Sequence, residues 1–294
     1  MIVIEMGGGL GNQMFQFCLY KKLKSLRKDV YLDVSSYDLP GSLRRYELDR
    51  FIGIRREEIK FSNDSFRKRS NTSDALFIAK RFIFKRICRT YKDKIGVFQP
   101  EVYDMDWVRL VGYWQNESYF SDIRDSILEC YTFDSNELDS RNRSLGGKME
   151  KEQSVSLHVR RGDYLDDRNS HIYDNICTSN YYRRAVDYIC KNVEHPIFYL
   201  FSDDIKWCKN NIGALYGDYH GKIESKFVDF NNGVHSYLDM YLMNKCRHHI
   251  IANSTFSWWG AWLGTNEDKI VVAPSRWLAN HDTSDTICTD WIKV

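Results

Sequence analysis

The chain has 294 residues, a net charge of +2, and is 43% hydrophobic and 15% aromatic. This size allows one large hydrophobic core or two moderate ones, and the near-neutral charge argues against nucleic-acid binding by the whole surface. The sequence contains no fixed-period repeat and no low-complexity segment, which argues against a solenoid or a propeller.

The N-terminal sequence MIVIEMGGG has no basic leader and only a short apolar run, so we expect neither a signal peptide nor a membrane anchor. No eighteen uncharged apolar residues occur together, and the eight cysteines include no CxxC pair. We therefore expect a cytoplasmic protein with mostly buried, reduced thiols and no zinc site or disulfides.

Positive charge is concentrated between Arg55 and Lys94, where thirteen Lys and Arg residues stand against five Asp and Glu residues. One interpretation is a solvated helical face. The other is a peripheral contact with the inner face of a membrane, because an anionic surface attracts a basic segment by about 1 kcal/mol per charge.

Strand and helix patterns alternate through both halves of the chain. In the first half, strands are predicted at 2–5, 30–34 and 108–114, and helices at 12–26, 75–91 and 117–131. In the second half, strands at 155–159, 197–201, 226–230, 249–252 and 269–273 are separated by helices at 179–191, 204–211, 237–246 and 256–263. This alternation predicts an α/β protein with two Rossmann-like domains facing a cleft: an acceptor-side domain 1–134, a polar linker 135–153 and a nucleotide-binding domain 154–294.

A glycine-rich loop opens the first predicted helix and contains Gly7, Gly9 and Gly11. A dinucleotide fingerprint would need a glycine where Asn12 stands, so nicotinamide binding matches only in part, with Asp33 in the place of a ribose-binding acid. A tight structural turn is the second alternative. In the third, backbone N–H groups approach a phosphate or a sugar, and Asn12 and Gln13 add side-chain hydrogen bonds.

The stretch SLHVRRGDY places Arg160 and Arg161 just after a predicted strand. Ligands of parallel α/β sheets bind at the carboxyl ends of the strands, so two guanidinium groups there favour phosphate recognition. The structural alternative is an ion-pair cluster in which Asp163 holds Arg161. A pyrophosphate leaving group would account for this much positive charge without a metal.

Further polar motifs follow the later strands. Asp203 and Asp204 suggest either Mg²⁺ coordination and acid–base chemistry or a helix N-cap, and capping is favoured. Asp239 is either an exposed acid or a carboxylate that pairs with the donors of a guanine edge. His248 and His249 are not spaced like a helical zinc pair, and we interpret them as structural.

The stretch NSTFSWWGAWL, residues 253–263, also follows a predicted strand. Its hydroxyl residues begin a helix whose N–H groups would face the ligand crevice. Its tryptophans belong either to the core or to a platform for a sugar.

The motifs GGGLGNQMFQ, HVRRGDY, FSDD, NSTFSWWGAWL and TDWIKV, in this order, resemble the bacterial α-1,2-fucosyltransferases of glycosyltransferase family 11. The resemblance extends from Gly7 to Trp291. It implies a GT-B-like fold, GDP-β-L-fucose as donor, inversion at the anomeric carbon, and no metal or other cofactor. The implied acceptor is the 2-hydroxyl of a terminal β-galactoside in an O-antigen or oligosaccharide, lipid-linked in one version of the hypothesis.

The chain is more distantly similar to protein O-fucosyltransferases and α-1,6-fucosyltransferases. By that similarity Arg160 contacts the β-phosphate of GDP, His158 shapes the same pocket and Asp239 pairs with guanine. The donor-site residues assigned by resemblance are Gly9, Gly11, Asn12, His158, Arg160, Arg161, Asp239, Ser254, Thr255 and Phe256.

The catalytic base does not transfer from these families, because Arg168 stands ten residues after His158, at the position that would supply a carboxylate. Arg160, His158 and Asp163 are the predicted catalytic residues. The candidates for the base are Asp163, Asp166, Asp167 and His171. A nicotinamide-dependent oxidoreductase and a non-catalytic sugar-binding protein are the rival interpretations.

Overall fold

The computed structural model describes residues 1–27, 29–42, 44–54, 83–84, 86–162, 176–279 and 284–294. Within these ranges the chain forms two compact units, Met1–Phe133 and Asp134–Val294. Each unit has one parallel sheet with helices, which confirms the predicted α/β class with two Rossmann-like domains.

The first unit contains a four-stranded parallel sheet in the order β2-β1-β4-β3. Its strands are β1 (Ile2–Glu5), β2 (Val30–Asp33), β3 (Arg89–Lys92) and β4 (Val108–Val111), and its helices are α1 (Leu10–Leu26) and α2 (Arg124–Cys130). Ile2 of the central strand β1 lies opposite both Val30 and Val108. The strand order reverses between β1 and β4, so the loops after these two strands meet at the carboxyl edge of the sheet.

The predicted helix at 75–91 is wrong at its end, because Arg89–Lys92 form the edge strand β3. This strand is mostly exposed, and its backbone pairs with β4, with Tyr91 opposite Leu110. An edge strand solvated in this way needs no alternating apolar residues, so periodicity could not reveal it.

The second unit contains a six-stranded parallel sheet in the order β10-β9-β8-β5-β6-β7. Its strands are β5 (Ser154–Val159), β6 (Ile197–Ser202), β7 (Glu224–Val228), β8 (His248–Ile250), β9 (Val271–Ala273) and β10 (Ile292–Lys293). From β7, this is the 3-2-1-4-5-6 order of a dinucleotide-binding fold, in which the ligand binds where the order reverses. The reversal here lies between the neighbouring strands β5 and β8.

The helices of the second unit are α3 (Ser140–Met149), α4 (Ser179–Asn192), α5 (Ile205–Tyr216), α6 (Tyr237–Lys245) and α7 (Thr255–Trp262). Side chains cap the first three of them: Asp139, Thr178 and Asp204 accept hydrogen bonds from backbone N–H groups in the first turn. Such caps satisfy N–H groups that have no partner within the helix.

Helix α3 (Ser140–Met149) lies within the segment 135–153, which was predicted to be a linker. Met149 is buried in a cluster with Tyr199 and Phe201 of β6. A Cβ on Gly146 would lie 3.0 Å from the hydroxyl of Tyr241, so α3 and α6 pack closely there. Leu145 and Met149 are the apolar side chains of α3 that pack against this cluster. Two apolar residues in a polar ten-residue segment give a weak stripe, so the sequence did not indicate a packed helix.

Helix α7 is part of the core of the second unit. Trp258, Trp259 and Trp262 are buried, and the indole N–H of Trp258 donates to the backbone carbonyl of Thr286 at 2.8 Å. This supports the core interpretation of the tryptophans and excludes the sugar platform, because buried rings offer no face to a ligand.

Most of the basic region 55–94 lies outside the described residues. Its contact with a membrane therefore stays a prediction, as does a lipid-linked acceptor. None of the helices that the structure describes is long and apolar enough to span a bilayer.

Two glycines provide a matched test of the packing in the second unit. A Cβ on Gly260 in α7 would lie 2.8 Å from the Cβ of Met243, whereas a Cβ on Gly147 in α3 would have nothing within 4 Å. We expect Gly260→Ala to lower the free energy of unfolding by about 1–3 kcal/mol through overpacking. Gly147→Ala should raise it by about 0.5–1 kcal/mol, because alanine has the higher helix propensity. Urea unfolding of both variants measures the difference, and equal effects would contradict the close approach of α6 and α7.

Candidate active site

Two arginines follow β5 and are held by the loop after β6. Nη1 of Arg160 lies 3.1 Å from Oδ2 of Asp203, and the backbone N–H of Arg161 donates to Oδ1 of the same carboxylate at 2.9 Å. Nε of Arg161 lies 3.5 Å from Asp204, and its guanidinium carbon lies 3.8 Å from the centroid of the Trp207 ring. Both guanidinium groups are therefore positioned by side chains of the neighbouring strand and helix.

The predicted partner of Arg161 was Asp163, which lies outside the described residues. The carboxylates that the structure places beside the arginines come from the next strand in the sheet, because parallel pairing puts Val159 of β5 opposite Ser202 of β6. The remaining base candidates also lie outside the described residues: Asp166, Asp167 and His171.

The two aspartates after β6 have different structural roles. Asp204 accepts a hydrogen bond from the backbone N–H of Trp207 at 3.0 Å, which confirms the predicted N-cap. Asp203 instead binds the arginine segment, and a Cβ on Gly162 would lie 2.6 Å from its Oδ2. Glycine at position 162 thus lets the backbone pass directly over this carboxylate.

His158 is buried in β5, between the arginines and α7. Its carbonyl accepts a hydrogen bond from the hydroxyl of Tyr182 at 3.0 Å, and its ring centroid lies 6.1 Å from that of Phe256. Burial and then the charge of Arg160 lower the pKa of His158 to about 3. The imidazole is therefore neutral at physiological pH, which favours its predicted role in shaping the pocket over proton transfer.

The start of α7 lies at the same edge as the arginines. Strand β8 pairs with β5, with Ile250 opposite Leu157, and the chain then passes through Ser254 into α7. Ser254 is buried and makes no side-chain cap to the helix. The strand order thus brings three predicted donor-site positions, Ser254, Thr255 and Phe256, to the edge that carries Arg160.

Asp239 lies in the first turn of α6, which begins at the carboxyl edge after β7. Its Oδ1 accepts a hydrogen bond from Asn231 at 2.9 Å, and Asn231 exchanges a further pair of hydrogen bonds with Asn142, both at 2.9 Å. Burial raises the pKa of Asp239 to about 7, and the Asn231 hydrogen bond acts in the opposite direction. Asp239 is therefore a largely desolvated carboxyl group, which excludes the alternative interpretation as an exposed acid.

The glycine loop lies at the carboxyl edge of the first sheet. Oδ1 of Asn12 accepts a hydrogen bond from Gln115 at 2.9 Å, and Gly11 is buried in the first turn of α1. The amide of Gln13 makes three internal bonds, to the carbonyls of Gly8 and Arg45 and from the N–H of Glu47. Gln13 is therefore a structural residue and not the ligand contact that we predicted.

Asp33 was the acid that a nicotinamide site would use. Its Oδ1 accepts hydrogen bonds from the backbone and hydroxyl of Ser35 at 3.1 and 2.6 Å, and its Oδ2 lies 3.3 Å from Arg109. These internal contacts argue against a ribose-binding role.

His248 and His249 are structural, as predicted. Nδ1 of His248 accepts a hydrogen bond from the backbone N–H of Ile270. Nδ1 of His249 forms a hydrogen bond with the hydroxyl of Ser156.

Glu47 is a residue of this edge that sequence reasoning did not single out. Its backbone N–H donates to the side-chain oxygen of Gln13 in α1 at 2.9 Å. Residues 13 and 47 are far apart in the chain and share no motif, so no local signal could have connected them.

The profile of glycosyl transferase family 11 matches residues 101–294. The chain is 31% identical to an alpha-1,2-colitosyltransferase of Escherichia coli, covering 100% of this chain and 98% of that protein. It is also 31% identical to the O-antigen biosynthesis glycosyltransferase WbnK of Escherichia coli, covering 98% and 99%. A galactoside alpha-(1,2)-fucosyltransferase 1 of Bos taurus is 30% identical over 53% of this chain and 44% of that protein. The protein belongs to glycosyl transferase family 11.

Proposed function

We propose that this protein transfers L-fucose from GDP-β-L-fucose to the 2-hydroxyl of a terminal β-galactoside, with inversion at the anomeric carbon, in O-antigen or oligosaccharide synthesis. The observation that carries this proposal is the placement of Arg160, held by Asp203, where the strand order reverses between β5 and β8. The names of the relatives in Escherichia coli and Bos taurus support the same reaction class.

The chemistry needs positive charge at the leaving group. The bond between the anomeric carbon and the β-phosphate oxygen breaks, and its electron pair leaves with GDP. The galactoside 2-oxygen bonds to the anomeric carbon and loses its proton to a base. The fixed guanidinium of Arg160 stabilises the charge that grows on the phosphate, and removal of one such donor costs about 3–4 kcal/mol in acyl-transfer enzymes.

Colitose is a second candidate for the transferred sugar, because a colitosyltransferase aligns along the full chain. Colitose is L-fucose without its 3-hydroxyl. A pocket that hydrogen-bonds this hydroxyl would prefer fucose by a factor of about 10⁴ or more, because its polar groups lose their partner when colitose binds. A pocket that is apolar there would show no such preference.

The function is tested by incubating the protein with GDP-fucose or GDP-colitose and a panel of β-galactosides, followed by linkage analysis of the products. We expect an α-1,2-linked product, and kcat/KM for the two donors identifies the sugar. A parallel incubation with excess EDTA should proceed at the same rate, because we propose a reaction without metal. No α-1,2 product with any galactoside would contradict the function, and loss of activity in EDTA that Mg²⁺ restores would contradict the metal independence.

Arg160→Ala should lower kcat by a factor of about 10²–10³ and weaken GDP binding. Arg160→Lys should recover little activity, because an ammonium group cannot replace the planar fork of donors that Asp203 orients. Arg184→Ala is the matched control, since Arg184 is exposed on α4. Steady-state kinetics and calorimetry with GDP measure both effects. Near-normal turnover of the alanine variant would exclude the phosphate role.

Asp239 should make GDP affinity depend on pH. The ring N–H and amino group of guanine can both donate to a carboxylate, so GDP should bind the charged form, whereas adenine offers no such pair. Because the pKa of the free group is about 7, GDP affinity should rise with pH up to about 7, by at most about tenfold per unit, and level off above it.

Calorimetry with GDP and ADP at several pH values tests this on the wild type, Asp239→Ala and Asp239→Asn. Both variants should lose much of the preference for GDP over ADP. They should also lose the part of the pH dependence that does not come from the phosphates. A variant that keeps the full preference would show that guanine is recognised elsewhere.

A further inference from the structure

Two buried asparagines of the second unit join the start of helix α3 to Asp239. Nδ2 of Asn231 donates to Oδ1 of Asp239 and to Oδ1 of Asn142, both at 2.9 Å. Nδ2 of Asn142 donates to Oδ1 of Asn231 at 2.9 Å and to Oδ1 of Asp139 at 3.1 Å. All N–H groups of the two side chains thus have an acceptor, and the chain of hydrogen bonds ends in a carboxylate on each side.

The two carboxylates fix the direction of both amides. If the amide of Asn231 were turned over, its oxygen would face Oδ1 of Asp239, and two acceptors form no hydrogen bond. If the amide of Asn142 were turned over, its oxygen would face Asp139 in the same way. Both asparagines are buried, so the wrong orientation would leave polar groups without partners and away from water. Asn231 is therefore held as a donor toward Asp239.

Asp239 keeps acceptor capacity after this contact. A carboxylate has about four acceptor sites, and Asn231 occupies one of them on Oδ1. Within the part of the chain that the structure describes, Oδ2 of Asp239 makes no hydrogen bond and no ion pair. The remaining sites suffice for two donors of one ligand, and the oxygen that Asn231 holds limits rotation of the carboxylate plane.

The neighbouring charges do not compensate Asp239. None of the described titratable or charged groups on α3 and α6, or in the segments just before these helices, forms a hydrogen bond or an ion pair with Asp239: Glu137, Asp139, Arg141, Arg143, Lys148, Asp229, His235, Tyr237, Tyr241 and Lys245. Helix α7, which packs against α6, carries no such group. Burial raises the pKa of Asp239, and the hydrogen bond from Asn231 lowers it. A desolvated carboxylate without a cation destabilises a fold, so it points to a ligand that supplies donors.

Asp239 lies at the edge of the second sheet that carries the arginines. Helices α6 and α7 both begin at this edge, and they approach closely where Gly260 meets Met243. Asp239 and Phe256 each stand four residues before this contact in their helices. The ring centroid of Phe256 lies 6.1 Å from that of His158 in β5. The carboxylate is therefore at the same end of the second unit as the segment that follows β5.

We propose that Asn231, held by Asn142, is a positioning residue for guanine recognition: it orients the Asp239 carboxylate and keeps it charged for the ring N–H and amino group of GDP. This role rests on the proposed function. Asn231 acts through Asp239 and needs no contact with the nucleotide. An N–H donor favours the charged form, because a hydrogen bond to an ionised acceptor is about twice as strong as one between neutral groups.

Asn231→Leu removes the donor and nearly keeps the side-chain volume. The midpoint of GDP affinity against pH should move upward from about 7 by about one to two pH units, because the charged carboxyl group loses a hydrogen bond. Relative to the wild type at the same pH, GDP affinity should fall about 5- to 50-fold at pH 7 but about fourfold or less at pH 8.5. ADP affinity should change by less than about twofold, because adenine lacks the donor pair.

Asn232→Leu is the matched control, because Asn232 is the exposed neighbour of Asn231, and it should keep the wild-type midpoint. In the Asp239→Ala background, Asn231→Leu should cause no further loss of the preference for GDP over ADP, because Asn231 acts through this carboxylate. A merely structural role of Asn231 would instead weaken both nucleotides at every pH. Calorimetry with GDP and ADP over a range of pH measures these effects.

The side-chain amide of Asn231 provides a measurement on the wild type, which decides if Asn231→Leu does not fold. Its ¹H–¹⁵N signal should titrate with a midpoint of about 7 in the free protein. Saturating GDP should abolish this titration, because the bound carboxylate stays charged.

Two results would overturn the role of Asn231: an unchanged GDP midpoint in Asn231→Leu, or an amide signal of Asn231 that does not respond to pH around neutrality. If Asp239→Ala keeps the full preference for GDP, guanine is recognised elsewhere and the role of Asn231 fails with it. The proposed function fails separately, when the wild type forms no α-1,2-linked product.

Discussion

The ion pair between Arg160 and Asp203 is the interaction on which the rest of the candidate site depends. Both side chains are about three-quarters buried, at 25% and 24% exposure, with 3.1 Å between Nη1 and Oδ2. Charges that have lost most of their water are stable only when they are paired, and loss of one partner leaves the other exposed to the full desolvation cost. The pair also joins the carboxyl ends of β5 and β6, so the same contact that stabilises the sheet edge orients the guanidinium.

Electrostatics divides the site into groups that keep their charge and groups that change it. His158 has a pKa of about 3 and stays neutral, so the guanidinium groups supply the positive charge over the whole working pH range. Among the described residues of the site, Asp239 has a pKa of about 7, so its charge changes near neutral pH. His158 should therefore contribute no pH dependence to the reaction near neutral pH.

In both units, polar residues are placed at the carboxyl edge of the sheet in the same way. In each sheet the strand order reverses, and the loops after the two neighbouring strands carry the polar residues. A single side chain then fixes the loop: Gln13 in the first unit and Asp203 in the second. In both loops a glycine, Gly8 or Gly162, lies where a Cβ would meet a neighbouring side chain at 2.6 Å. These two glycines allow the backbone to approach the side chains that define the edge.

The sequence by itself determined the α/β class, the alternating elements of the second unit and the position of Arg160 at a strand end, because the apolar periods of strands and helices are local properties. The tertiary structure decided which side chains meet. Arg161 bonds to Asp203 across 42 residues, and Gln13 bonds to Glu47 across 34. Those contacts depend on which strands are neighbours. Strand order follows from backbone pairing and packing over the whole sheet. Because all the apolar strands have similar local sequence patterns, those patterns do not reveal the order. Helix α3 and strand β3 escaped prediction for a related reason. Helix α3 packs through one glycine and two apolar side chains, Leu145 and Met149, which give only a weak apolar period. Strand β3 is defined by backbone pairing at an exposed edge, which leaves no apolar period in the sequence.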